Sequence, residues 1–154
     1  ALMEEHMKEE FMNRAIELAQ KGIGFVNPHP LAGAVIVKEH RIVGEGFYKA
    51  YSSNSAEIEA LNNTLENLSN GEMYLNIEPF KDKDTFVKAI LNSGIKRVYI
   101  GMLDPNGHKE DNVIALMKAN GIEVEIGVLS EQCQELNEIY AHYITKHIPF
   151  VFTK

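Results

Sequence analysis

The chain has 154 residues, of which 45% are hydrophobic and 24% are charged, and its formal net charge at pH 7 is -7. This length fits one compact domain, and this composition excludes disordered and fibrous proteins. Because lysines alternate with acidic residues, as in Lys81-Asp82-Lys83-Asp84, the sequence offers no basic stripe to a phosphate backbone, and we expect no nucleic-acid partner.

Helical and strand patterns alternate along the chain. Apolar residues at helical spacing predict helices, and short apolar runs between turn residues predict strands. In chain order, the patterns predict a helix over Glu4–Lys21, a strand over Gly33–Val37 with its hairpin partner over Arg41–Phe47, a helix over Ser55–Leu68, a strand over Met73–Ile77, a helix over Thr85–Asn92, a strand over Arg97–Met102, a turn over Asp104–Gly107, a helix over Asp111–Ala119, a strand over Ile122–Ile126, a helix over Ser130–Thr145 and an extended tail over Pro149–Thr153.

This order of elements predicts the fold class. Strands that alternate with helices imply a sheet between two helix layers, with parallel strands after the first antiparallel hairpin. We therefore predict an α/β fold, a three-layer α/β/α sandwich around a mixed five-stranded sheet.

The sequence also bears on location. Its apolar runs, such as Ala34-Val35-Ile36-Val37, are far shorter than the roughly 20 residues that span a bilayer, and the N-terminus lacks the apolar region of a signal peptide. We expect no membrane partner and a cytoplasmic location. The single Cys133 excludes an intramolecular disulfide and a Cys-rich zinc site.

Two short segments carry the side chains with chemical potential. Asn54-Ser55-Ala56-Glu57 opens a predicted helix, so that Glu57 lies in its first turn, and Ile77-Glu78-Pro79-Phe80 ends a predicted strand. Zinc-dependent nucleobase deaminases carry an H-x-E element followed by a P-C-x-x-C element, in which one His and two Cys hold zinc and the Glu shuttles protons. This chain keeps the Glu and the Pro of that pattern.

Longer stretches extend the likeness in chain order. They are Pro28–Val37, Ile42–Gly46, Ser93–Val98, Asp104–Asn106, Gly121–Val124, Leu136–Glu138 and Pro149–Val151. On these residues the chain resembles the deaminase domain of the bacterial riboflavin-pathway deaminase/reductase, in the cytidine deaminase-like superfamily. The resemblance implies that superfamily's fold, the removal of an amine from a diaminopyrimidine ribose phosphate, a zinc cofactor, and homo-oligomers, either dimers or tetramers. Bifunctional relatives carry a reductase after the Pro-Phe-Val segment, so we expect 1–154 to be a single deaminase-like domain with no reductase domain.

The resemblance assigns site positions one by one. Glu57 matches the proton-shuttling Glu, and Pro79 matches the Pro before the first Cys ligand. Ser55 stands where the ligand His is expected, Phe80 where the first Cys is expected, and Phe86 where the second Cys is expected. Phenylalanine has no lone pair to offer a metal, so we expect no zinc and no other cofactor.

Four further positions are candidate ligand-binding residues. His29 replaces an Asn between two prolines of the family pattern, and Tyr48 replaces a His after the second strand. Asn54 precedes the Ser55 position, and Asp104 follows a strand at the pocket rim. The alternatives are that His29 is a polar turn residue and that Asp104 only ends its strand.

The same residues also have structural interpretations. Phe80 and Phe86 either stack on a ligand or fill the volume of the missing metal, and we favour the filling. Glu57 is either a retained proton carrier or a carboxylate stabilised by the helix dipole. Ser55 reads first as an N-cap. A rebuilt metal site around His29 and Glu57 is disfavoured, because a metal needs three or four protein ligands.

Three functional hypotheses follow. We favour a catalytically inactive deaminase homologue without zinc, which binds a pyrimidine or nucleotide-like small molecule or supports a partner subunit. The first alternative is an active diaminohydroxyphosphoribosylaminopyrimidine deaminase, a hydrolase acting on a C–N bond, with altered chemistry. The second alternative is a structural oligomerisation module.

Overall fold

The computed structural model describes residues 2–22, 30–49, 54–80, 83–105 and 112–138. Three predictions fall outside these ranges in whole or in part. They concern His29, the turn beyond Pro105, and the C-terminal part of the chain from residue 139, which includes the predicted tail Pro149–Thr153.

Helices and strands alternate in the described residues as predicted. The elements are α1 (Leu2–Gln20), β1 (Gly33–Lys38), β2 (Arg41–Phe47), α2 (Ala56–Asn62), β3 (Glu72–Ile77), α3 (Lys83–Ser93), β4 (Arg97–Met102), α4 (Val113–Ala119) and β5 (Glu123–Ile126). Residues 130–138 are also helical, and we refer to them as the helical segment 130–138. The part of the chain that the structure describes holds no helix that is both long and apolar enough to cross a bilayer.

The five strands form one mixed sheet in the order β2-β1-β3-β4-β5. Strand β1 runs antiparallel to both of its neighbours, β2 and β3. Strands β3, β4 and β5 are parallel to one another. The predicted mixed five-stranded sheet, which begins with an antiparallel hairpin, is therefore confirmed.

The β1–β2 hairpin closes over a two-residue turn. Glu39 and His40 both have positive φ angles, 52° and 63°. Positive φ at both central residues is typical of the hairpin turn whose twist matches that of the two strands. Lys38 pairs with Arg41 as the last strand residue, although the sequence pattern placed it in the connection.

The two faces of the sheet carry different helices, as the β1–β2 hairpin shows. Gly33 of β1 lies against α1, because an added Cβ there would overlap the backbone oxygen of Ala15. Gly46 of β2 lies against α2, because its Cβ would lie 2.6 Å from the Ala56 oxygen. Gly46 pairs with Ala34, the neighbour of Gly33, and successive strand residues face opposite sides of a sheet. The helices α1 and α2 therefore cover opposite faces, and the predicted three layers are confirmed.

Helix α2 is shorter than the sequence predicts. The apolar spacing suggested a helix through Leu68, but α2 ends at Asn62, where the N–H of Asn63 bonds back to the carbonyl groups of Glu59 and Leu61. Leu65, which the pattern placed on the buried face, is fully exposed. The Asn-Asn-Thr sequence over 62–64 explains the early end, because these residues favour caps and turns over helix interiors.

Candidate functional site

One edge of the sheet brings the predicted site segments together. Because β1 and β3 are antiparallel, the start of β1 lies beside the end of β3. The end of β2 lies there too, since Gly33 pairs with Phe47 and the Tyr48 N–H donates to the Ala32 oxygen at 2.9 Å. Helix α2, which packs on β1 and β2, begins shortly after Tyr48. This corner of the sheet is the candidate site.

Ser55 caps helix α2, as its position in the sequence predicts. Its backbone is extended, with φ of -74° and ψ of 170°, and its Oγ accepts from the Ile58 N–H at 3.5 Å. An N-cap side chain satisfies one of the backbone N–H groups that the first helical turn leaves unpaired. The cap places Glu57 in the first turn of α2, with only 3% of its surface exposed.

The Glu57 carboxyl group is the buried ionisable group of this corner. Among the described residues, its Oε2 atom has no hydrogen-bond partner. Burial raises the pKa of Glu57, while hydrogen bonds from Ser55 and from its own backbone N–H act in the opposite direction. A carboxyl with a raised pKa keeps its proton more readily, and the protonated form can donate one hydrogen bond and accept others.

We expect Glu57→Gln to change how stability depends on pH. Above the ordinary carboxyl pKa of 4.5 the folded protein retains a proton that the unfolded chain has released, so the stability of the parent falls as pH rises through the raised pKa. The variant lacks this loss. At a pH above the raised pKa, its free energy of unfolding should therefore exceed that of the parent by about 1.4 kcal/mol for each pKa unit of the shift. Urea unfolding from pH 4 to pH 8 measures the difference.

A matched control is Glu66→Gln. Glu66 is exposed, and its pKa is lowered by hydrogen bonding to Arg41. This variant should show no gain at neutral pH. If Glu57→Gln also shows no gain, then burial of the Glu57 carboxyl does not penalise its charged form.

Aromatic rings line the same corner. The Tyr48 ring is 2% exposed and meets the half-buried Phe80 ring edge to face, with centroids 5.5 Å apart and an interplanar angle of 85°. Edge-to-face pairs at this spacing are favourable because of the ring quadrupoles. Phe86 lies at the start of α3 and is completely buried in the core. The two phenylalanines therefore differ, since Phe86 is a core residue and Phe80 lies at the site.

Of the remaining predicted residues, the structure describes Asn54 and Asp104. Asn54 is half-buried, and its Nδ2 donates to Glu59 at 3.4 Å, a long hydrogen bond. The backbone N–H of Asp104 donates to Glu78 Oε1 at 2.6 Å, which ties the segment after β4 to the segment after β3. His29 lies outside the described residues, so its placement stays a prediction.

Sequence reasoning missed two polar residues that hold this corner in place. Glu78 was visible in the strand-ending Glu-Pro pair, but its bond to Asp104 was not. Asn76 is completely buried; its Oδ1 accepts from the Gly33 N–H at 2.7 Å, and its Nδ2 donates to the Leu31 oxygen at 3.0 Å. The available signal was a polar residue inside an otherwise apolar buried strand.

The donor set at this corner is poor in metal ligands. Across 2–22, 30–49, 54–80, 83–105 and 112–138, no group of three or more His, Cys, Asp or Glu side chains is placed to hold a metal ion. The Ser55 oxygen is engaged as a helix cap, and the Phe80 ring contacts Tyr48. What the corner offers is one buried carboxyl group, in the first turn of α2, and the aromatic pair of Tyr48 and Phe80.

Comparisons with known proteins identify the family of the chain. The sequence profile of the cytidine and deoxycytidylate deaminase zinc-binding region matches residues 5–102. The diaminohydroxyphosphoribosylamino-pyrimidine deaminase of Buchnera aphidicola subsp. Schizaphis graminum is 40% identical over 136 residues, which cover 86% of this chain and 92% of that protein. The riboflavin biosynthesis protein RibD of Bacillus amyloliquefaciens is 38% identical over 151 residues, and the chain spans 41% of its length.

Solved structures give the same result for the fold. The deaminase/reductase of Thermotoga maritima, at 40% sequence identity, superposes on 93% of this chain and 42% of its own with a TM-score of 0.81. The dCMP deaminase of cyanophage S-TIM5 shares the fold at 23% identity, with a TM-score of 0.63.

Proposed function

The chain belongs to the cytidine and deoxycytidylate deaminase family as a homologue of the RibD-type deaminases, and from this we propose that it is a member without the zinc site that binds a pyrimidine or nucleotide-like small molecule. Two observations carry the proposal: the buried Glu57 carboxyl with its unpartnered Oε2 in the first turn of α2, and the Tyr48–Phe80 ring contact at the same corner of the sheet. As a further part of the proposal, the chain acts as a single deaminase-like domain in a homodimer or homotetramer.

The residues at the three ligand positions do not fit zinc. Zinc in proteins is bound by thiolate sulfur, imidazole nitrogen or carboxylate oxygen. Ser55 offers a hydroxyl that already caps α2, and neither Phe80 nor Phe86 carries an atom that can coordinate a metal. Phe86 is also buried in the core, where its ring contributes about 1.5–3 kcal/mol of apolar burial. The packing around Phe86 supports the filling interpretation.

Without the metal, the family's chemistry has no source of hydroxide. Bound zinc lowers the pKa of water from near 15.7 to about 7. A carboxylate acting alone as general base contributes roughly 10²–10⁴-fold, whereas enzymes typically reach about 10⁶-fold or more. Glu57 therefore lacks the means to deaminate at an enzymatic rate, and we assign it a binding role.

The binding role follows from the two kinds of surface at the corner. A protonated Glu57 offers both a donor and an acceptor, which is what the edge of a neutral heterocycle with ring nitrogens and carbonyl oxygens requires. The half-buried Phe80 ring, which the buried Tyr48 ring contacts edge to face, offers apolar surface to a flat ring. The part of a ligand that fits this corner is an uncharged heteroaromatic ring, such as the pyrimidine of a nucleotide-like compound.

Calorimetric titration with diaminohydroxyphosphoribosylaminopyrimidine tests the proposal. The protein should bind this compound without converting it, as followed by ring absorbance, and Glu57→Leu should weaken the binding by about ten-fold or more. The leucine removes both the donor and the acceptor and leaves the buried edge of the ligand unpaired, which costs roughly 1–3 kcal/mol. Ribose 5-phosphate, which lacks the ring, should bind less tightly than the full compound.

Two outcomes would contradict the proposal. Conversion of the compound at typical enzymatic rates would favour the active deaminase. No binding of the compound, together with a stable dimer or tetramer on gel filtration that Glu57→Leu leaves unchanged, would favour the oligomerisation module.

A further inference from the structure

Two asparagine side chains bind the backbone of Leu31, one at its N–H and the other at its carbonyl oxygen. The Leu31 N–H donates to Asn137 Oδ1 at 2.9 Å, and the Leu31 oxygen accepts from Asn76 Nδ2 at 3.0 Å. The same Asn76 amide accepts from the Gly33 N–H at 2.7 Å. The backbone over 31–33 is thus fixed by three hydrogen bonds to side chains from β3 and from the helical segment 130–138.

This fixed stretch lies next to the candidate site. The Ala32 oxygen, within the held stretch, accepts from the Tyr48 N–H at 2.9 Å. The Tyr48 ring in turn contacts the Phe80 ring. A chain of direct contacts therefore runs from Asn137 through Leu31 and Ala32 to the aromatic surface of the corner.

Neither asparagine is required by its own secondary structure. Asn76 occupies a fully buried strand position, where a β-branched or apolar residue would pack without needing hydrogen-bond partners. Asn137 is half-buried, 106 positions from Leu31 in sequence, and its Nδ2 also meets the Met102 sulfur at 3.8 Å. What the two side chains have in common is that both fix the backbone position of Leu31.

We propose that Asn76 and Asn137 are positioning residues of the candidate site, which set the place of Tyr48 and Phe80 by fixing the backbone over 31–33. The expected effect on ligand affinity rests on the proposed function, whereas the expected effect on the position of Tyr48 does not. The helical segment 130–138 is thereby part of the framework of the site. Leu136–Glu138 belongs to the stretches that resemble the family, but no site position was assigned there.

Asn137→Ala tests the proposal, with Asn112→Ala as the matched control. Asn112 caps α4 with two hydrogen bonds of 3.1 Å, so its loss also removes side-chain support for backbone N–H groups, but for those of Ile114 and Ala115 and not for that of Leu31. Amide hydrogen exchange by NMR reports on the Leu31 and Tyr48 N–H groups, and thermal denaturation reports on the whole fold.

We expect Asn137→Ala to lower the protection of the Leu31 and Tyr48 amides on the order of ten-fold, the size of one hydrogen bond. Asn112→Ala should leave both amides unchanged at a comparable loss of melting temperature. Asn137→Asp keeps an acceptor oxygen for the Leu31 N–H, so it should restore the protection, and it serves as the second variant if the alanine variant does not fold.

The outcomes separate the two proposals. Unchanged protection of Tyr48 in Asn137→Ala, or equal loss in Asn112→Ala, overturns the positioning role. Loss of protection with rescue by Asn137→Asp supports it, whether or not diaminohydroxyphosphoribosylaminopyrimidine binds. If the compound binds the parent, its dissociation constant should rise in Asn137→Ala and recover in Asn137→Asp.

Discussion

Changing Ser55 to His, Phe80 to Cys and Phe86 to Cys together should produce a chain that holds about one zinc ion, where the parent holds none at stoichiometric level. The triple variant supplies one imidazole and two thiolates, the ligand set of zinc deaminases. The three positions are those at which the family pattern expects the ligands: Ser55 caps α2, Phe80 follows the end of β3, and Phe86 lies in the first turn of α3. Apparent binding free energies of structural zinc sites are about 10–16 kcal/mol, so this effect is large.

Metal content by mass spectrometry after dialysis against zinc and then buffer measures the result. A double variant that keeps Phe86 is the control, since two protein ligands are too few to retain the ion through dialysis. Because Phe86 is fully buried, the triple variant should unfold more easily without zinc than the parent does. About one zinc per chain in the unaltered protein would contradict the proposed loss of the site.

Gly33→Ala should destabilise the fold by about 3 kcal/mol, at the upper end for an overpacked position. An added Cβ overlaps the Ala15 oxygen and lies 2.7 Å from the Ala19 nitrogen, and both atoms belong to the backbone of α1. A backbone cannot move aside as a flexible side chain does, so α1 must shift on the sheet. Urea unfolding measures the loss of free energy.

Gly121→Ala is the matched control for this prediction. Gly121 has a φ of +85° but no atom within 4 Å of an added Cβ, so only backbone strain applies, about 1 kcal/mol. The loss at Gly33 should therefore clearly exceed the loss at Gly121. Equal losses would show that α1 does not lie as close to β1 as the structure places it.

Much of the fold was predictable because its signals are local. The β2 bounds Arg41–Phe47 and the β4 bounds Arg97–Met102 were predicted as observed, since both are short segments that contain β-branched and aromatic residues. The end of α2 was not, because the periodic leucines continue beyond the point where Asn63 ends the helix. Hydrophobic spacing alone does not show whether the backbone is still helical.

In the candidate site too, the features set by neighbouring residues were predictable and those set by distant residues were not. The N-cap role of Ser55 and the place of Glu57 in the first helical turn depend on adjacent residues, and the sequence predicted both. The bonds of Asn76 and Asn137 to Leu31 join positions 45 and 106 residues apart. Side-chain partners so distant in sequence are fixed only by the tertiary fold, so a single sequence does not identify them.

The sheet order has a consequence for the route of folding. Strands β1 and β2 meet across a two-residue turn, whereas β1 reaches β3 only after the whole of α2 has intervened. Closing the longer loop costs more chain entropy, so we expect the hairpin to assemble early and the β1–β3 seam late. The corner that holds Glu57 would then be completed among the last steps, and partial unfolding would abolish ligand recognition while the hairpin persists.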